Sequence, residues 1–337
     1  MRALFYSTIA LAFLVVPSCT LLESKDGIAG PPIEEDDSAT GDDAAVPHDA
    51  RIDGTKLDSP APGDDASDAS VVDVVIDHAG QATATTLFDS QSEPVGVFAD
   101  GTYVYWVAGS PRALLRGPRD GGDPTKIVHL DDINQPVTEA FDLVVDGTYV
   151  YWTKRSGSVL RRALDGGVNE TCFDAGTSAG FIALLGPTVF LTDYRLDGTG
   201  SVFRGTCGQA PITLFASQPR STGIATSATN GGHVFWGRNT NDQIDFGDLE
   251  GGAPSLLRSI VGAVGGVATD GAAVYWVQES QRIMRFELAT QTIHELYEES
   301  AAFGDGDIAV DDSWVYWSET ANSVIRRVPK LPLDGGP

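Results

Sequence analysis

The chain is poor in the residues that most often carry catalysis. It holds five histidines, two methionines and three cysteines in 337 residues. His48 and His78 fall in a polar N-terminal stretch, and His129, His233 and His294 stand apart from one another. General-base catalysis by histidine and a histidine-held metal therefore have no obvious agent. There is no CxxC and no Cys/His cluster, which argues against a structural zinc site. A GxSxG elbow, a Walker loop and a GxGxxG after a strand are missing as well. The glycine-rich stretch Leu196-Asp197-Gly198-Thr199-Gly200 has no following Gly-Lys and opens no helix, so it reads as a loop insertion. Basic residues are also few, 22 Lys and Arg against 47 Asp and Glu, a net charge of −25. That balance argues against nucleic acid, whose phosphates need clustered cations, and fits an anionic lipid surface poorly.

No apolar run reaches the 20 or so residues that span a bilayer. The longest in the N-terminal region is Leu4 to Val16, preceded by Arg2 and ending at Val16-Pro17-Ser18-Cys19. Residues 1–19 read as a secretory signal. The tetrapeptide resembles a bacterial lipobox, with Pro17 departing from the usual small residue, and that resemblance implies lipidation of Cys19. Residues 20–80 then carry 16 acidic residues against Lys25, Arg51 and Lys56, with no Phe, Trp or Tyr. Such a segment cannot bury enough apolar surface to order itself, so an acidic, disordered linker is expected. A flexible chain of that length spans roughly 40–45 Å end to end.

Residues 81–337 are different. The same phrase recurs as ADGTYVYW, VDGTYVYW, TDGAAVYW and VDDSWVYW, with weaker copies TNGGHVFW and LLGPTVFL. The closing residues are Trp106, Trp152, Leu191, Trp236, Trp276 and Trp317, a period of about 42 residues. Within a repeat, β-branched and aromatic runs alternate with Asp-Gly and Gly-Gly turns, and no helical period interrupts them. In the first repeat the runs are 95–99, 103–107, 113–116 and 126–130. The second run, Tyr-Val-Tyr-Trp-Val, is apolar on both faces, as a sheet sandwiched between two others requires. We therefore expect an all-β, six-bladed β-propeller with four antiparallel strands per blade. The last repeat ends after its third strand, and residues 83–89 match later fourth strands such as Ile212 to Phe215. A 3+1 closure follows, in which the N-terminal strand completes blade six and removes the open edge. The domain is expected to be monomeric.

Val150-Tyr151-Trp152-Thr153, followed by Val159-Leu160-Arg161-Arg162 and Asp165-Gly166-Gly167, resembles a YWTD-type propeller repeat. The pattern from Gly266 to Trp276 is similar to repeats in predicted bacterial lipoproteins with TolB-like six-bladed propellers. The resemblance covers residues 83–330. It implies a fold, and beyond that a protein or cell-envelope partner met outside the cytoplasm, with membrane contact only through a lipid anchor. The chain departs from the YWTD pattern in keeping the final Asp only at Asp193. The third-strand Arg recurs at Arg116, Arg161, Arg204, Arg285 and Arg326, which suggests a structural partner between blades.

Functional candidates lie where the repetition fails. The channel-facing positions are Gly96, Asp142, Phe181, Gly223, Gly266 and Asp307. Asp142 and Asp307, with Asp305 nearby, offer oxygen ligands for a hard cation such as calcium at the channel mouth. The loops between second and third strands share one end with the blade-to-blade loops, and among them Asp193, Tyr194, Arg195 and Arg238 form a candidate binding loop. Cys172 and Cys207 are a candidate disulfide of an exported protein. Two functions stay open. One is a membrane-tethered, non-enzymatic binding or scaffolding module; the other is a cation-dependent propeller hydrolase or lyase working at the channel.

Overall fold

A computed structural model describes residues 83–108, 112–128, 140–176, 178–195, 199–304 and 306–330. The signal, the acidic linker and Cys19 lie outside these residues. The described chain forms six four-stranded antiparallel sheets, five of them running in sequence order from the innermost strand to the outermost. Blade one consists of Val97–Ala99, Tyr103–Ala108, Ala113–Pro118 and Thr125–Val128. The innermost strands of the next five blades are Ala140–Val145, Ala179–Leu185, Ser221–Ser227, Val264–Thr269 and Ile308–Val310. The sixth sheet takes its outer strand, Thr85–Phe88, from the N-terminal side, paired antiparallel with Val324–Pro329. The ring is therefore closed three-plus-one, as the matching of 83–89 to later fourth strands leads one to expect.

The recurring phrase has a local chemical cause at its first half. In each clear copy the aspartate sits at the tip of the hairpin between first and second strands. Asp146 Oδ1 accepts from the backbone N–H of Thr148 and Tyr149, and its Oδ2 accepts from the Tyr151 hydroxyl at 2.8 Å. Asp100, Asp270 and Asp311 repeat this arrangement with Tyr105, Tyr275 and Tyr316. The carboxylate thus fixes the turn and satisfies a tyrosine whose ring is packed between blades.

The second half of the phrase is core. Trp106, Trp152, Trp236, Trp276 and Trp317 are fully buried, and Leu191 takes the position in blade three. Replacing such a residue by alanine typically costs about 3–5 kcal/mol. The indole N–H groups are satisfied from two directions. Trp106 and Trp236 donate to Gln91 and Gln218, from the segments that enter their blades, whereas Trp276 and Trp317 donate to Gln278 and Glu319 two residues on. Trp152 Nε1 has no partner among the described residues.

Blades interlock through an aromatic knob in a glycine socket. Phe88 of the closing strand stacks on Trp106 at 4.7 Å and fills the space where a side chain at Gly117 would have to be. Phe215 does the same with Trp236 and Gly247, and Phe173 covers Gly205. The repeated third-strand arginines divide their work. Arg116 and Arg161 lie over Tyr103 and Tyr149 of their own blades, and Arg161 also pairs with Glu170. Arg204 donates to the Leu249 carbonyl of the next blade. In blade six the register corrects the expected Arg326: Arg327 stands opposite Tyr316, as Arg116 does opposite Tyr105, lies over Trp314 and donates to the Arg119 carbonyl of blade one. The expected partner between blades is thus found for Arg204 and Arg327, whereas Arg116 and Arg161 face a tyrosine of their own blade. Cys172 and Cys207, from consecutive blades, are joined by a disulfide.

Candidate functional site

The innermost strands of blades two to five do not pair evenly with their neighbours. Each carries a bulge, between Ala140 and Leu143, Ala179 and Ile182, Thr222 and Ile224, and Val264 and Val267. A bulge leaves backbone groups without a ladder partner and re-aims side chains. Here it presents Asp142 and Phe181 to the channel and frees N–H groups for the carboxylates to take up. Hydroxyls one residue past the second-strand aromatic help to hold the irregularity: Thr153 and Thr192 accept from the N–H of Asp142 and Phe181.

The structure brings Asp142 and Asp307 together in the throat and buries both. Asp142 Oδ1 accepts from Leu143 N–H at 2.7 Å and Oδ2 from Ile182 N–H, in the next blade, at 2.8 Å. Asp307 Oδ2 accepts from Val97 N–H, across the ring seam, at 2.8 Å. The charge of Asp307 also acts on Asp142. Burial, reinforced by the charge of Asp307, holds the Asp142 carboxyl well above the ordinary carboxylate range despite its backbone donors. Burial pushes Asp307 up to about 6. Burial and the closeness of two like charges thus favour the protonated form of the pair over two carboxylates.

The three channel glycines explain why these groups meet. A Cβ on Gly96 would come within 2.4 Å of Asp142 Oδ1, and one on Gly266 within 2.3 Å of Asp307 Oδ1. At Gly223 it would come within 2.1 Å of Val267 N. Glycine here permits close approach in the narrowest part of the ring. The carboxylates are engaged by backbone donors, which leaves little of the donor set that a cation needs. Asp305 lies outside the described residues, and among the described residues no group of three acidic, histidine or cysteine side chains converges.

Above the throat the channel widens into an open bowl of about 960 Å³. Its floor holds Phe141 and Phe181, edge to face with centroids 5.2 Å apart. Its wall is built, as expected, from loops after second strands together with blade-to-blade connections. Tyr194 and Arg195 line it. Asp193 is buried and pairs with Arg195 Nε at 2.9 Å, so it anchors the loop. Arg238 does not belong to the wall. Its Nη1 pairs with buried Asp245 at 2.9 Å within its own blade; Asp245 stands opposite Trp236, and Phe246 takes the third-strand position that holds arginine in the other blades.

Sequence reasoning missed Arg155 and Phe141. Arg155 lies in the turn after the second strand of blade two, exposed on the bowl wall, with its guanidinium 4.7 Å from the centre of the Phe141 ring. The available signal was positional, since Arg155 in blade two and Asn239 in blade four both follow the second-strand tryptophan by three residues and both line the bowl.

The fold and this mouth define a six-bladed β-propeller with an open bowl over a narrower throat. No protein-family model matches the chain, and no curated protein is similar to it. Solved structures are. A regucalcin from Agrobacterium tumefaciens strain C58, described as a calcium-binding protein, is similar with a TM-score of 0.59 at 13% identity, over 73% of this chain and 93% of that one. A streptogramin B lyase gives a TM-score of 0.54 at 13% identity, over 73% and 96%. A chain of a nidogen/laminin complex gives 0.52 at 18% identity, over 59% and 78%. At these identities the likeness is one of fold.

Proposed function

We propose that this chain is an exported, lipid-anchored propeller that acts as a non-enzymatic binding module, with the bowl as its contact surface. The observation that carries the reading is the division of labour along the channel. The throat carboxylates are committed to backbone N–H groups, whereas the bowl above them is open and lined by side chains from the loops that depart from the repeat. Concave mouths of this size, apolar below with a few polar groups at the wall, are where ligands bind. The nidogen/laminin neighbour is a propeller found in a protein complex, which supports a protein or envelope partner. The signal-like start, Cys19 and the acidic stretch 20–80 support a tethered, extracytoplasmic placement in the bacterial envelope. The Cys172–Cys207 disulfide suits an oxidising compartment. The names of the lyase and calcium-binding neighbours bring cation-dependent chemistry into view, but the engagement of Asp142 and Asp307 does not favour it.

One experiment tests both parts. The tagged full chain is recovered from the membrane fraction of its host with bound partners, beside Cys19→Ser and a Tyr194→Ala, Arg195→Ala double variant. Cys19→Ser is expected in the soluble fraction. The double variant is expected to stay with the membrane and lose the partner. A Cys19→Ser chain that remains membrane-bound removes the lipid anchor, and equal partner recovery by the double variant removes the bowl.

A further inference from the structure

Among the described residues, the lining of the bowl differs from the rest of the molecule in the sign of its charge. The chain carries −25 overall, yet among the described residues the only charged side chains lining the cavity are Arg155 and Arg195. Asp193 neutralises Arg195. Arg155 has no carboxylate partner among the described residues, and its one recorded contact is the face of Phe141. A guanidinium stacked on an aromatic ring keeps its N–H edge free, and that planar fork matches an organic acid. Arg112 has its Nη1 tied to the Ala140 carbonyl, and its pKa is lowered by burial and then by the charge of Arg155, with Glu93 acting the other way.

The floor supplies the other half of the recognition. Phe141 and Phe181 meet edge to face, and Ala179, Val264 and the glycines beside them add no charge. A flat apolar body laid on these rings would place an acidic substituent within reach of the Arg155 fork.

We propose that the bowl is a site for a small organic anion with a planar apolar body, its acidic group held by Arg155 and its ring system resting on Phe141 and Phe181. This rests on the reading of the bowl as the contact surface and names the chemistry it selects.

The test uses two dyes of the same skeleton, the sulfonate 8-anilinonaphthalene-1-sulfonate and the uncharged N-phenyl-1-naphthylamine, titrated against the full chain by fluorescence. The sulfonate is expected to bind several-fold more tightly than the neutral dye. Arg155→Gln is expected to weaken the sulfonate about tenfold, as loss of a charge-assisted contact does, and to leave the neutral dye within about twofold. Arg155 is exposed, so its melting temperature should match the parent's. Lys126→Gln, on the exposed outer strand of blade one, should change neither dye and controls for general charge. Equal affinity for the two dyes, no binding of either, or an Arg155→Gln variant that loses both or neither overturns the proposal. Partner recovery that survives such a result would leave the binding-module reading standing without the anion.

Discussion

The two ends of the first hairpin put aspartate in opposite regimes. At the hairpin tips, burial disfavours ionisation of Asp146 and Asp270, but backbone N–H groups, a tyrosine hydroxyl and, for Asp270, Lys330 at 2.5 Å outweigh it, so both pKa values are lowered. In the throat, burial dominates, and Asp142 and Asp307 are raised. One arrangement recurs in four blades and makes the ring. The other occurs once, in blades two and six, and shapes a part of the channel where blades differ in chemistry. Repetition in this chain marks architecture, and its breaks mark places where a ligand can be selected.

The largest test of that contrast opens the ring where the repeat is incomplete. A chain beginning at residue 81 should melt like the parent, whereas one beginning at residue 91 lacks Thr85–Phe88 and should lose cooperative unfolding. Calorimetry reads the difference, and equal melting of the two would mean the seam is not structural.

Next comes the pH profile of stability, measured by denaturant unfolding from about pH 3 to 8. The tip aspartates have folded pKa values below the unfolded value of about 4, so their contribution is present above that value and is lost as pH falls through the folded one. The throat pair has raised values, so the native state holds protons that the unfolded chain releases. Its contribution is greatest at low pH and declines as pH rises from about 4 through 6. Asp270→Ala should cost on the order of 2–4 kcal/mol at neutral pH, and less in acid. Asp142→Asn should flatten the decline on the way to neutrality. Profiles that move in the same direction for both variants would erase the distinction between the two regions.

The smallest effect separates repeats that look identical in sequence. Trp276→Phe leaves buried Gln278 without its indole donor, whereas Trp152→Phe removes an N–H that has no partner. The first should cost about 1 kcal/mol more than the second. Similar costs would show that the indole partner contributes nothing.

Much of this was legible in the sequence, for definable reasons. The recurring aspartate and tyrosine act on each other and on backbone groups two to five positions away, so their spacing records their contacts. The closing strand was legible because residues 83–89 keep the pattern of a fourth strand although they stand at the other end of the domain. Asp142 and Asp307 could be placed at the channel by counting, but not their engagement. Asp142 bonds Ile182 and Asp307 bonds Val97 across blade boundaries, through N–H groups that only a bulge or a strand start exposes. Arg238 shows the same limit, since a position after a second strand does not say whether the side chain turns to the bowl or back to Asp245. Arg155 went unnoticed because its partner, Phe141, is an aromatic face fourteen residues earlier, and no spacing rule links them.

The seam has a mechanical consequence. The strand that completes blade six is also where the polypeptide arrives from its N-terminal stretch, so any tension along that stretch is delivered to Thr85 and its pairing with Arg327. Load applied there peels a short four-residue strand from its free end, one hydrogen bond after another, until it reaches Phe88 wedged against Trp106 and Gly117. A single aromatic wedge is thus the fuse of the ring: the same residue that locks the closed circle decides the force at which it would spring open.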